Sequence, residues 1–168
     1  MGYYVSLTTA WFGIPETPEV LATLHALNER DDLKRGGSWG GTEGEKSWFS
    51  WMPADLTELE SVEEFFGGPG LGFAVLVEDG RVWLQGYDNK TGQEDIFLAV
   101  VAKFVPSGHF IEWRGEDGEM WRNEVENGRL VTREAIIQWG PPEPVNSFTR
   151  LALEDSVWTS VVVPIFKD

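Results

Sequence analysis

The chain has 168 residues, 42% hydrophobic and 13% aromatic, with 28 acidic against 13 basic side chains and a formal net charge of −15. That length and composition support one packed domain, and the charge opposes binding to nucleic-acid phosphates or anionic membranes while allowing either plain solubility or a basic protein partner. The absence of Cys excludes a disulfide framework and a thiolate metal site, in keeping with a reducing cytoplasm.

The start, residues 1–14, has no basic leader segment and alternates polar with apolar residues, so it reads as a half-buried strand. Tyr3, Val5, Leu7, Thr9 and Trp11 are expected on one face, with Tyr4, Ser6, Thr8 and Ala10 on the other. Thr17-Pro18-Glu19 supplies an N-cap, a first-turn proline and a first-turn acid for a helix whose apolar stripe is Val20, Leu21, Leu24 and Leu27. Residues 36–46 are Gly-rich but lack the Gly-Lys-Ser/Thr ending of a phosphate loop, so no nucleotide cofactor is expected there. The segment SWFSWMP (47–53) reads as a short aromatic strand.

A second, acidic helix is expected over Leu56, Leu59, Val62, Phe65 and Phe66, with capping-box spacing at Thr57/Glu60 or Ser61/Glu64. Residues 72–87 read as a hairpin turning at Asp79-Gly80 and 88–90 as a turn, followed by a buried third helix over 92–105 capped by Thr91 and Glu94. Residues 108–139 then hold a three-stranded meander with turns at Asp117-Gly118 and Asn127-Gly128. A Pro-rich linker opens at Gly140, and the uncharged run at 157–166 is expected to pair in the sheet or in a homo-oligomer through 156–166.

These elements predict an α+β fold, two-layer, with helices on one face of a mainly antiparallel sheet. Residues 1–139 form the single domain and 140–168 an extension. Matching landmarks recur at a near-constant offset: Thr17 with Thr91, Gly37 with Gly108, Gly44-Glu45 with Gly118-Glu119, and Trp48 with Trp121. They suggest a duplicated βαββ unit over about 1–66 and 72–139.

No reaction is spelled out. His25 and His109 lack a neighbouring acid and nucleophile, so both read as structural, and no metal site is expected. Glu112, Glu116, Asp117, Glu119, Glu124 and Glu126, beside Arg114, Arg122 and Arg133, read more readily as a solvated ionic face than as paired catalytic carboxylates. With a two-residue turn at Asp117-Gly118, Trp113 would face Arg122 and Arg114 would face Trp121, a platform suited to a binding hot spot.

Three strings, SWFSWM (47–52), YDNKTGQEDIFL (87–98) and IEWRGEDGEMWRNEVENGRLV (111–131), with their G-E-D-G-x-x-W core, resemble a family of small, acidic, uncharacterised proteins of bacteriophages, prophages and actinobacterial mobile elements. The similarity covers roughly residues 17–139. It implies a phage-type origin and a host cytoplasm, and it carries over no catalytic residue.

The expectation is a non-enzymatic inhibitor of a host nucleic-acid-handling defence protein, as in anti-CRISPR or anti-restriction activity, with its acids standing in for phosphates on a basic groove. The contact residues expected are Glu112, Glu116, Asp117, Glu119 and Glu124, a second patch of Glu58, Glu60, Glu63 and Glu64, and Trp113 and Trp121 as anchors. The alternative is a nucleotide-like ligand held by Arg114, Arg122, Arg133, Trp39 and Trp48. A phage structural or regulatory protein, oligomeric through its tail, is the remaining reading.

Overall fold

A computed structural model describes residues 3–36 and 48–136. The expected C-terminal linker, the 156–166 run, Trp39, and the Gly-rich segment with its repeat landmarks Gly37 and Gly44-Glu45 lie outside those residues. Met1–Ala135 forms one compact unit.

The fold is α+β and every strand pairing among the described residues is antiparallel. One sheet holds β1 (Tyr4–Trp11), β5 (Asp88–Lys90), β6 (Phe110–Gly115), β7 (Met120–Glu126) and β8 (Arg129–Glu134), in the order β5-β1-β6-β7-β8. A second holds β2 (Gly13–Pro15), β3 (Ala74–Glu78) and β4 (Arg81–Gly86), in the order β2-β4-β3. The strands therefore divide between two sheets where one was expected. Two chain segments run through both: β1 continues past Phe12 into β2, and β4 continues past Tyr87 into β5. The Leu7 N–H bonds the Tyr87 carbonyl at 2.8 Å and the Leu84 N–H bonds the Phe12 carbonyl at 3.1 Å, so the two segments stay paired around the bend. Phe12 and Tyr87 bury their rings there.

The expected turn at 88–90 is thus a strand. Asp, Asn and Lys favour turns in isolation, but pairing of Asn89 with Val5 and of Lys90 with Tyr4 overrides that preference. The aromatic run at 47–53 is not a strand beyond one bridge between Trp48 and Gly36; Phe49 is buried and the chain turns at Trp51, which takes a left-handed φ of 67°.

α1 (Pro18–His25) begins as its sequence dictates, with the Thr17 hydroxyl accepting the Val20 N–H at 3.4 Å. The second helix is broken. A 3-10 turn at Leu56–Glu58 is separated from α2 (Val62–Phe66), whose start is held by the Glu16 carboxylate accepting the Val62 and Glu63 N–H groups at 2.9 and 3.0 Å. α3 (Glu94–Val101) starts later than expected. Thr91 is not its cap: its N–H extends the β1–β5 ladder to the Tyr3 carbonyl, and Glu94 turns inward to accept from Gly92 N–H and Tyr87 O–H.

α1 and α3 pack on each other. Phe49 meets Phe97 edge-on at 5.0 Å, and a chain of rings, Phe66, Phe73, Tyr87, Trp113 and Trp121, crosses the inner side of the strands. Buried Gln93 ties two segments together: its carbonyl accepts the Arg35 and Ser50 N–H groups at 3.0 and 3.1 Å, while its amide nitrogen donates to Leu33 O at 2.5 Å. The second half contains a βαββ order, β5-α3-β6-β7. In the first half, among the described residues, the Gly36–Trp48 bridge is the only counterpart of the paired strands. No helix among the described residues is long and apolar enough to cross a membrane.

Candidate interaction surface

The β6–β7 hairpin positions the expected acidic site, in a register one residue away from the one its turn suggested. Gly115 N–H bonds Glu119 O at 2.9 Å, leaving Glu116, Asp117 and Gly118 as a three-residue loop with Gly118 at φ 88°. This is the hairpin form in which Gly supplies the left-handed position after the turn. A one-residue slip exchanges the faces, so Trp113 lies opposite Trp121, Glu112 opposite Arg122 and Arg114 opposite Met120. The expected cross-strand Trp–Arg platform is therefore not formed. Trp113 is 3% exposed and donates its indole N–H to Asn123 Oδ1 at 2.7 Å, so it is a core residue and not a surface anchor. Trp121 is half-buried, stacked on it at 6.3 Å.

The outer face of β6–β8 divides the acids into two kinds. Glu112 pairs with Arg122, whose guanidinium also lies 4.3 Å from the Phe110 ring centroid. Arg133 reaches Glu124 at 3.5 Å and pairs with Glu126. Each of these three carboxylates thus has an arginine partner, Arg133 serving two of them. The hairpin tip differs: Glu116, Asp117 and Glu119 are exposed and have no ion pair among the described residues. The tip is braced from below, because the Glu116 N–H bonds the Tyr4 carbonyl at 3.0 Å and any side chain at Gly115 would run into the Tyr3 hydroxyl and the Glu119 carboxylate.

In the second patch Glu58, Glu60 and Glu63 are exposed. Glu64 is half-buried and its carboxylate closes the start of α2 on the Glu60 N–H at 2.6 Å, with Ser61 Oγ accepting the Glu64 N–H at 3.1 Å. The residues of the alternative ligand site do not converge. Arg114, Arg122 and Arg133 lie on the outer face of the strands, two of them in ion pairs, whereas the Trp48 indole packs on Gly36.

A cluster that the sequence did not reveal lies where the two sheets meet. Thr8 is an extra residue in β1, a bulge between Leu7 and Thr9 that reverses the alternation of the strand. Ala10 then points inward opposite Ile111, and Trp11 points outward, 56% exposed. Trp11 and Trp83 have ring centroids 4.6 Å apart, and His109 stacks on Trp83 at 5.8 Å. Gly13 leaves room for this, since a Cβ there would sit 2.8 Å from the Trp83 ring. His109 accepts the Gly13 N–H on Nδ1 at 3.3 Å, and burial, with the Arg81 charge nearby, holds its pKa below the usual value.

Two further groups, Tyr87 buried and His25 half-buried, have defined partners. Burial first, and then the bond to Glu94, raises the Tyr87 hydroxyl far above the normal phenol range, so it stays a donor. His25 shares its Nε2 with Leu59 O at 2.8 Å, joining α1 to the segment before α2. Among the described residues no group of His, Asp and Glu is arranged to hold a metal ion.

The fold and surface therefore define an α+β protein with two antiparallel sheets, an ionic outer face and an uncompensated acidic hairpin tip. Comparison with protein-family models, with curated proteins and with solved structures finds no match.

Proposed function

We propose that this protein acts by binding, as an acidic partner that occupies the basic groove of a nucleic-acid-handling protein, in the manner of a phage-encoded inhibitor of host defence. The observation that carries the reading is the exposed, unpaired hairpin tip of Glu116, Asp117 and Glu119 on a short, braced turn. Three carboxylates on and beside a short, braced loop present negative charge from a backbone that needs little further ordering on binding. Glu58, Glu60 and Glu63 add a second exposed cluster, and the formal charge of −15 steers the molecule toward a positive surface from a distance.

The test is capture from bacterial lysate by the purified protein at low and at high salt, with duplex DNA as competitor. The expected result is a nucleic-acid-handling protein recovered at low salt, released as salt rises and displaced by DNA. The triple change Glu116→Lys, Asp117→Lys and Glu119→Lys is expected to abolish that recovery. Capture that survives high salt and ignores both DNA and the charge reversal would overturn the reading.

A further inference from the structure

The outer edge of β3 is bonded to nothing among the described residues. β3 pairs with β4 alone, through a two-residue turn in which Asp79 and Gly80 take φ 51° and 68°. Such a turn makes Glu78 and Arg81 a hydrogen-bonded pair, and the antiparallel alternation then bonds Leu76 to Trp83 and aims the N–H and C=O of Val75 and Val77 away from β4. No backbone or side-chain hydrogen bond among the described residues reaches those groups.

The side chains leave this edge open as well. Ala74, Val75, Leu76 and Val77 are consecutive apolar residues, with Leu76 48% and Val77 46% exposed. One edge strand of the other sheet, β8, is guarded by exposed Arg129, Thr132, Arg133 and Glu134, the usual defence against unwanted pairing. Inward from the β3 edge, Leu76 lies opposite Trp83, which stacks on exposed Trp11, so an apolar row crosses the outer face of the sheet.

Charge decides what fits. A second copy would bring another formal −15 to the same edge. β3 ends in exposed Glu78 and Asp79, and α2, with exposed Glu63, packs beside it. We infer that the β3 edge is a strand-addition site for an extended, basic segment of the partner protein, alternating Lys or Arg with apolar residues. Its apolar side chains extend the Leu76–Trp83–Trp11 row, and its cations, which alternate onto the opposite face, meet Glu63 of α2 and Asp79 of the turn. This rests on the reading of the partner as basic and adds how it is gripped.

The test uses the full chain and a synthetic peptide of about seven residues, enough to span a short strand, alternating valine with lysine. A companion peptide replaces lysine by serine. Amide hydrogen exchange is followed residue by residue. The expected result is binding of the basic peptide with slowed exchange at Val75 and Val77 and little change at Leu76. Val77→Pro removes an outward donor without taking one from the β3–β4 ladder and is expected to weaken binding about tenfold at unchanged Tm. Should that variant unfold, Leu76→Lys places a cation on the same edge and is expected to weaken binding likewise. Basic-peptide binding without protection at Val75 and Val77 overturns the edge site while leaving the acidic reading intact. Equal protection by the serine peptide keeps the edge but overturns the basic partner, and binding of neither peptide overturns the inference.

Discussion

Trp113 and Trp121 face each other across β6 and β7, yet their replacement has unequal consequences. Trp113→Ala removes a buried indole and leaves Asn123 Oδ1 without its donor, and is expected to cost about 3–5 kcal/mol in urea unfolding. Trp121→Ala, at a half-buried position, is expected to cost markedly less; equal losses would contradict the burial described here. His109 gives a pH signature. Its pKa is held below 6.5 by burial and by Arg81, so the folded state favours the neutral ring that accepts the Gly13 N–H. Its contribution to stability is complete above pH 6.5 and is lost as pH falls through the lowered folded value, because the unfolded chain takes up the proton first. Unfolding midpoints measured from pH 7.5 to 5 are expected to fall less in His109→Phe than in the native protein, over and above the change shared with acidic groups; parallel curves would remove His109 from the account.

At the scale of elements, local chemistry was legible where a single backbone solution satisfies it. Asn127-Gly128 and Asp79-Gly80 form the two-residue turns their residues demand, and Thr17-Pro18 starts α1. Asp117-Gly118 was ambiguous because Gly118 serves as well in a three-residue loop as in a two-residue one, and the difference moves Trp113 from a surface platform into the core. The bulge at Thr8 carries no local signal; it follows from the pairing of β1 with β6, and it alone brings Trp11 out to Trp83. The strand at 88–90 was hidden for the same reason, since its partner Val5 is distant in sequence. Of the candidate site, the acids at the hairpin tip were readable from sequence, but which acids have an arginine partner was not, because Arg133 reaches Glu124 and Glu126 only through the β7–β8 register. One element can be tested alone. Glu16→Ala strips α2 of the carboxylate that receives the Val62 and Glu63 N–H groups, and is expected to cost about 1–2 kcal/mol. Faster hydrogen exchange at those two amides, with the β6–β7 ladder unchanged, would locate the loss; unaltered exchange would rule it out.

Across the whole molecule the acids are arranged unevenly, and stability and binding should therefore separate. Reversing the tip charges touches no ion pair among the described residues and lowers the net repulsion of a chain at −15, so Tm is expected to stay level or rise slightly while salt-sensitive binding disappears. A fall of several degrees would show that the tip acids have a structural role instead. Arg122→Ala should act in the opposite sense, uncovering Glu112 and the Phe110 ring and reducing stability with little effect on the tip. The Gln93 clamp has a practical consequence for the same chain. Gly36 and Trp48 are paired, and Gln93 holds Arg35 and Ser50 on either side, so the ends of whatever lies between are already fixed next to each other. A foreign segment grafted between 36 and 48 would meet a closure penalty that grows by only about 0.6 kcal/mol for each doubling of its length, which makes this position a socket for a reporter or an affinity tag well suited to finding the partner.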